Sequence, residues 1–178
     1  MKTLKTTTLI IWLILIATFN ANAQNWQWIK HIKGNSSEDV TSICTDFNGN
    51  VYIIGEYSFL YMTAPAASIS FDSITLPPNG DNQLFVAKYS SAGNILWAKS
   101  IGGNNVIGNS DIYEYANSIS YDPLNQCIYV TGNIYGTVPF GSTTLSGYGV
   151  SFYTKMDLNG NYIWAKQFPF IQIGRAHV

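Results

Sequence analysis

The chain has 178 residues, 47% of them hydrophobic and 15% aromatic, with 11% charged and a formal net charge of −1. There is no basic excess to attract a phosphate backbone, which sets nucleic acid aside as a partner. His31 is the one histidine outside residues 173–178, which are set apart below, and Cys44 and Cys127 do not form a zinc-type cysteine pair, so no zinc site is expected.

The N-terminus reads as a leader. Lys2 and Lys5 precede an apolar run over residues 9–19, and Ala21-Asn22-Ala23 follows it. A basic n-region, an apolar core of about a dozen residues and an A-x-A site make a secretory signal peptide, residues 1–23, with cleavage expected before Gln24. The run is short for a membrane span, so an uncleaved anchor is the weaker alternative. After cleavage no transmembrane segment is expected, and the protein is placed outside the cell or on its outer surface. Over residues 24–172, six basic residues face ten acidic ones, a net charge of −4.

From residue 25 the chain repeats itself. Residues 25–34 read NWQWIKHIKG, 94–103 read NILWAKSIGG and 161–168 read NYIWAKQF, which sets Trp28, Trp97 and Trp164 69 and 67 residues apart. Between these marks SICTD (42–46) matches SISYD (118–122), VYIIG (51–55) matches IYVTG (128–132), and FVAK (85–88) matches FYTK (152–155). Phe71, Ser73, Thr75 and Leu76 match Phe140, Ser142, Thr144 and Leu145. The spacing drifts between landmarks, as a fixed set of strands with variable connections requires.

Each unit offers four strand candidates. They are 28–32, 40–45, 51–57 and 84–89 in the first, and 97–101, 116–121, 127–133 and 151–156 in the second. All are short, rich in Ile, Val, Tyr, Phe and Trp, and bounded by Gly, Asn, Asp and Pro. Four short antiparallel strands make one propeller blade, and units longer than the usual repeat of about 40–50 residues must carry long connections. The expected fold is all-β: a propeller fragment of two four-stranded antiparallel blades and the first strand of a third. Residues 24–93 form the first repeat, 94–160 the second, and 161–172 begin the third. An open stack of small sheets is the rival architecture.

These segments resemble the bacterial beta-propeller repeat family (SBBP-like repeats) of secreted Bacteroidetes proteins. Its patterns GNxxWAKxxGG, SIxxDxxGNxYxxG and FxxKYxxxGN run through nearly all of residues 25–168, and lapse at Asn125-Gln126-Cys127, where one residue is inserted and Gly-Asn is missing. The resemblance implies several such units within a larger exported protein, and neither one ligand nor one reaction. Two blades cannot close a ring. Propellers of 4 to 8 blades put the whole domain at roughly 270–550 residues, with further blades in the full-length chain.

Trp28, Trp97, Trp164, Phe85, Phe152, Gly55 and Gly132 are read as structural anchors of the repeat, the tryptophans pinning one blade on its neighbour. An exposed sugar platform is the rival reading for Trp28 and Trp97. Asp46, Asn48 and Asn50, and likewise Asp157, Asn159 and Asn161, place oxygen ligands at alternate positions around a glycine, as a calcium loop begins. Neither has a closing Glu at the twelfth place, which holds Tyr57 or Phe168. The same letters make a hairpin turn, and that reading is preferred; calcium is the only cofactor that any pattern raises. Phe71 and Phe140 read as buried loop anchors, and Cys44 as a small buried side chain rather than half of a disulfide.

Two stretches are candidates for a private binding feature: residues 57–80, and residues 102–115 with Asn104, Asn105, Asn109 and Asp111. Asp111 and Glu114 read as solvated charges. There is no GxSxG elbow and no GxxxxGK[ST] loop, so no catalytic residue is assigned. Residues 173–178, IGRAHV, match the translation of a common sequencing adaptor and are set apart from the protein proper. The expected function is a structural module, or one that binds an unknown protein or carbohydrate. The alternative is the non-catalytic scaffold of a larger secreted enzyme.

Overall fold

The computed structural model describes residues 26–35, 37–58, 68–77, 82–102 and 114–168. The leader, Asn104, Asn105, Asn109, Asp111 and the IGRAHV tail lie outside these residues, as does much of the 57–80 connection. What is described is all-β, in eleven strands: β1 (Lys33–Gly34), β2 (Ser37–Thr45), β3 (Val51–Ser58), β4 (Ile69–Phe71), β5 (Ile74–Leu76), β6 (Asn82–Tyr89), β7 (Ile95–Ile101), β8 (Tyr115–Asp122), β9 (Cys127–Phe140), β10 (Thr143–Asp157) and β11 (Tyr162–Phe168). They form two four-stranded antiparallel sheets in simple meander order, β2-β3-β6-β7 and β8-β9-β10-β11, and a small antiparallel sheet of order β1-β4-β5. This is the makeup of a propeller fragment.

The two large sheets match residue for residue. Tyr52, Lys88 and Trp97 lie side by side across the first, and Tyr129, Lys155 and Trp164 across the second. Register shifts recur too, between Val40 and Ser42 and between Lys88 and Tyr89, then between Ala116 and Ser118 and between Lys155 and Met156. Gly55 faces Phe85 across the ladder, and Gly132 faces Phe152. A Cβ on either glycine would meet the opposite phenyl ring and a backbone oxygen, that of Asp39 or of Tyr115. The missing side chain is the space each ring fills.

Sequence repeat and sheet are out of phase. The strand expected to open a third blade, 162–168, is hydrogen-bonded to β10 and completes the second sheet. Trp97 likewise stands on the last strand of the first sheet, not the first strand of the second. The expected strand at 28–32 has no ladder and pairing starts only at Lys33. In both large sheets the strand bearing this tryptophan pairs with the strand bearing the F-x-x-K segment before it. Residues 134–149, expected as a connection, are strand: β9 and β10 run on as a long ribbon, with a bulge at Gly149 in the left-handed region (φ 67°). Phe140 is thus buried from a strand rather than a loop, as is Phe71 in β4.

Two apolar clusters hold the sheets. One joins Tyr52, Ile54, Leu84, Val86 and Ile101 of the first large sheet to Ile119, Ile128, Val130, Ile134, Phe152 and Met156 of the second. The other joins the opposite face of the first sheet (Val51, Ile53, Tyr57, Phe85, Ala87 and Tyr89) to Ile69, Phe71 and Leu76, with Trp28 and Ile32 packed against it. The first sheet is therefore covered on both faces, and its central strands β3 and β6 are buried almost throughout.

Candidate interaction surface

The contact between the large sheets is built on one hairpin turn. Asp157 N–H donates to Asn161 O and Gly160 N–H to Asp157 O, while Gly160 takes a φ of 80°. This is a type I turn closed by a left-handed glycine. Onto it the first sheet delivers three side chains: Lys88 Nζ and Trp97 Nε1 each donate to Leu158 O at 3.1 Å, and Lys99 Nζ donates to Gly160 O at 2.5 Å. Trp97 packs over Gly160, and Lys88 sits 4.9 Å from the centre of the Tyr52 ring. Burial lowers the Lys88 pKa, against the nearby charges of Asp46 and Asp157. A lysine held between two carboxylates and a carbonyl has the partners a half-desolvated cation needs.

The same joint is used once more. Trp28 Nε1 donates to Ser91 O at 3.0 Å, over the equivalent turn of the first sheet, and its ring lies on Gly93 and Tyr89. Lys30 does not follow Lys99; it pairs with Asp72 at 2.7 Å. Trp28 and Trp97 are thus packing residues at sheet contacts. Phe85 and Phe152 are buried against Phe71 and Phe140, with ring centres 5.0 and 4.9 Å apart.

At the calcium candidates the oxygens are already engaged. Asp46 Oδ1 accepts from Asn48 N and Asn50 N, and Oδ2 from Asn50 Nδ2 and the Tyr52 hydroxyl. Burial alone would push the Asp46 carboxyl up; the bonds from Asn50, Tyr52 and Asn48 outweigh it and hold the pKa below 3.8. Asp157 is the same: burial raises it, and the bonds from Asn161 and Asn159 with the Lys99 charge bring it down. Only the glycines take positive φ in these turns, so Asn48 and Asn159 are not left-handed as an Asn-Gly type I′ turn would make them. At the lapsed turn Asp122 still accepts from Leu124 N, Asn125 N and Asn125 Nδ2, and Gln126 takes the left-handed place at φ 47°.

Glu114, read as a solvated charge, is buried beside Asn82, whose Nδ2 donates to the Glu114 carbonyl at 2.7 Å; it immediately precedes β8 and is drawn between the sheets with that strand. Glu56 Oε1 accepts from Ala116 N there, and burial raises the Glu56 pKa. Cys44 and Cys127 are free thiols, and burial with the Asp46 charge pushes Cys44 up to about 11. Lys88, Lys99 and Leu158 were missed as joint residues. The K of W-A-K and of F-x-x-K is the signal that held two of them, while Leu158 acts through its carbonyl and carries no signal.

The outward face of the second sheet carries Tyr129, Thr131, Tyr153, Lys155, Trp164 and Lys166. Tyr153 stacks on Phe168 at 5.1 Å and meets Trp164 edge-on at 4.9 Å; Lys155 lies 5.7 Å from the Tyr129 ring centre and Lys166 5.6 Å from that of Trp164. Among the described residues no strand covers this face, and no helix is long and apolar enough to cross a membrane.

No family model matches the chain. An uncharacterized WD repeat-containing protein of Acanthamoeba polyphaga mimivirus is 33% identical over 116 residues, which is 64% of this chain and 8% of that protein. The chain thus spans less than a tenth of that relative's length. The likeness points to a propeller kind of repeat, since a WD unit is itself a four-stranded blade.

Proposed function

We propose that the chain is part of an exported propeller-type scaffold, whose stacked sheets carry loops that bind a protein or carbohydrate partner. The observation that carries this reading is the joint itself: a tryptophan outside a sheet donates to a hairpin turn of that sheet, Trp28 ahead of β1 to Ser91 O of the first large sheet and Trp97 of β7 to Leu158 O of the second. A module assembled by repeating one contact extends a surface, which is what repeat proteins use for binding. The basic and apolar leader of residues 1–23 supports export, and the WD repeat relative supports the propeller. The finer assignment to SBBP-like repeats of Bacteroidetes rests on the W-A-K and G-N-x-Y-x-x-G segments.

Cell fractionation with surface biotinylation and N-terminal sequencing tests export. A mature chain that begins at Gln24 and is labelled on intact cells is expected, and a cytosolic chain retaining residues 1–23 overturns it. A long read of the genomic locus past codon 172 tests the scaffold. In-frame continuation into further W-A-K units is expected, whereas a stop codon directly after Val178 removes both the adaptor reading and the multi-blade scaffold.

A further inference from the structure

We propose that the outward face of the second large sheet docks a third sheet of the same repeat, continuous with this chain, and that Lys155, Trp164 and Lys166 hold it by donating to carbonyl groups of its last hairpin turn. This rests on the scaffold reading and names the contact by which the scaffold grows.

Lys155, Trp164 and Lys166 stand 67 residues after Lys88, Trp97 and Lys99, on matching strands and in matching register. In the first sheet those three donors converge on Leu158 O and Gly160 O of the following unit. Two of the counterparts are set in nearly the same geometry: Tyr129 and Trp164 ring centres are 6.0 Å apart where Tyr52 and Trp97 are 6.2 Å apart, and Lys155 lies over Tyr129 as Lys88 lies over Tyr52, while Lys166 rests on the Trp164 ring at 5.6 Å. The preformed face lacks only the acceptors. A matching turn supplies them: Asp, any residue, Asn, Gly, Asn, with the glycine left-handed so that the indole can lie on it.

The order of packing selects the occupant. The face of the first sheet that bears Trp97 is covered by the unit next in sequence, so the face that bears Trp164 takes the unit after that. A second copy of this chain does not qualify. The first sheet's complementary face is already covered by Trp28, Ile32, Ile69, Phe71 and Leu76, and the second sheet's by the first. One layer differs: Thr131 and Tyr153 stand where the first sheet has Ile54 and Val86. The Thr131 hydroxyl already donates to Ser118 O at 3.5 Å, so it is for the Tyr153 hydroxyl that the incoming sheet presents a hydrogen-bonding residue at the place where the second sheet presents Val130, because a buried hydroxyl without a partner is costly.

The test appends a duplicate of residues 102–168 after Phe168, with Tyr153→Phe and Trp164→Phe in the duplicate so that labelling reads the original copies alone, once without further change and once with Val130→Thr in the duplicate. Hydroxyl-radical labelling of Trp164 and Tyr153 is then compared with the 178-residue chain. At least a tenfold fall in labelling in either tandem chain is expected, with the larger fall in the Val130→Thr version. Lys155→Met with Trp164→Phe removes the donors while keeping most of the packing, and is expected to restore labelling of Tyr153. Labelling of Tyr153 and Trp164 that is unchanged in both tandem chains overturns the proposal, as does protection that survives the double substitution. Concentration-dependent protection of the 178-residue chain alone overturns the choice of occupant in favour of a second copy. Amide exchange in β3 and β6 reports that the first sheet stays folded in every variant. None of these readings depends on export or on the genomic locus, so a failure here is separable from a failure of the scaffold reading.

Discussion

At the scale of single residues, the chain is governed by places where only one side chain works. Gly55 and Gly132 are such places, since a methyl group there strikes a backbone oxygen on one side and a phenylalanine on the other. Gly132→Ala is expected to destabilise by about 1–3 kcal/mol, the usual cost of overpacking, and Gly55→Ala by a similar amount, both read from denaturant midpoints. Asp46 is another, because four donors converge on its two oxygens. Those bonds hold its carboxyl below the usual aspartate range, so the native state binds its proton less readily than the unfolded chain does. The stabilisation is present in full above the unfolded value and disappears as the pH falls through the lowered folded value. Asp46→Ala is expected to lose about 1–3 kcal/mol at neutral pH, with the gap to the parent chain closing as the pH is taken down through the lowered pKa of Asp46.

At the scale of elements, the hairpin turn is the repeated device. Three aspartates cap three turns, two with a left-handed glycine and one with Gln126 at φ 47°. A side chain in that region costs roughly 1–2 kcal/mol, part of which glycine returns as entropy of the unfolded chain. Gln126→Gly is expected to raise the melting temperature, by a net gain of up to about 1 kcal/mol. Because the carboxylates of Asp46 and Asp157 are bonded within their own turns, millimolar calcium is expected to leave the melting temperature unchanged; a rise abolished by Asp157→Asn would return these turns to the metal-site reading. The out-of-phase repeat is also an element-scale result. A strand's sheet is decided by its ladder partner, and β7 and β11 take theirs from the chain before them, not after.

At the scale of the molecule, the joint at Leu158 ties the two large sheets into one body. Trp97→Phe deletes the indole donor, leaving Leu158 O with Lys88 alone. We expect a loss of about 0.5–1.5 kcal/mol and an unfolding transition in which amide exchange of the two sheets separates, where the parent chain exchanges as one. The sequence by itself determined the strand content, because runs of Ile, Val, Tyr and Phe between glycine and asparagine turns fit a pleated surface and little else. It also determined the equivalence of the two units, the tryptophan joints and the burial of Phe85 and Phe152, since each is written as a local pattern that recurs. Tertiary structure alone decided which strands share a sheet, that residues 134–149 extend a ribbon, that Glu114 is buried, and that Lys88 and Lys99 reach the turn at Leu158 and Gly160. The Lys88, Lys99 and Glu114 contacts join residues 70, 61 and 32 apart through backbone carbonyls, and a main-chain oxygen has the same chemistry at every position until the fold gives it a neighbour.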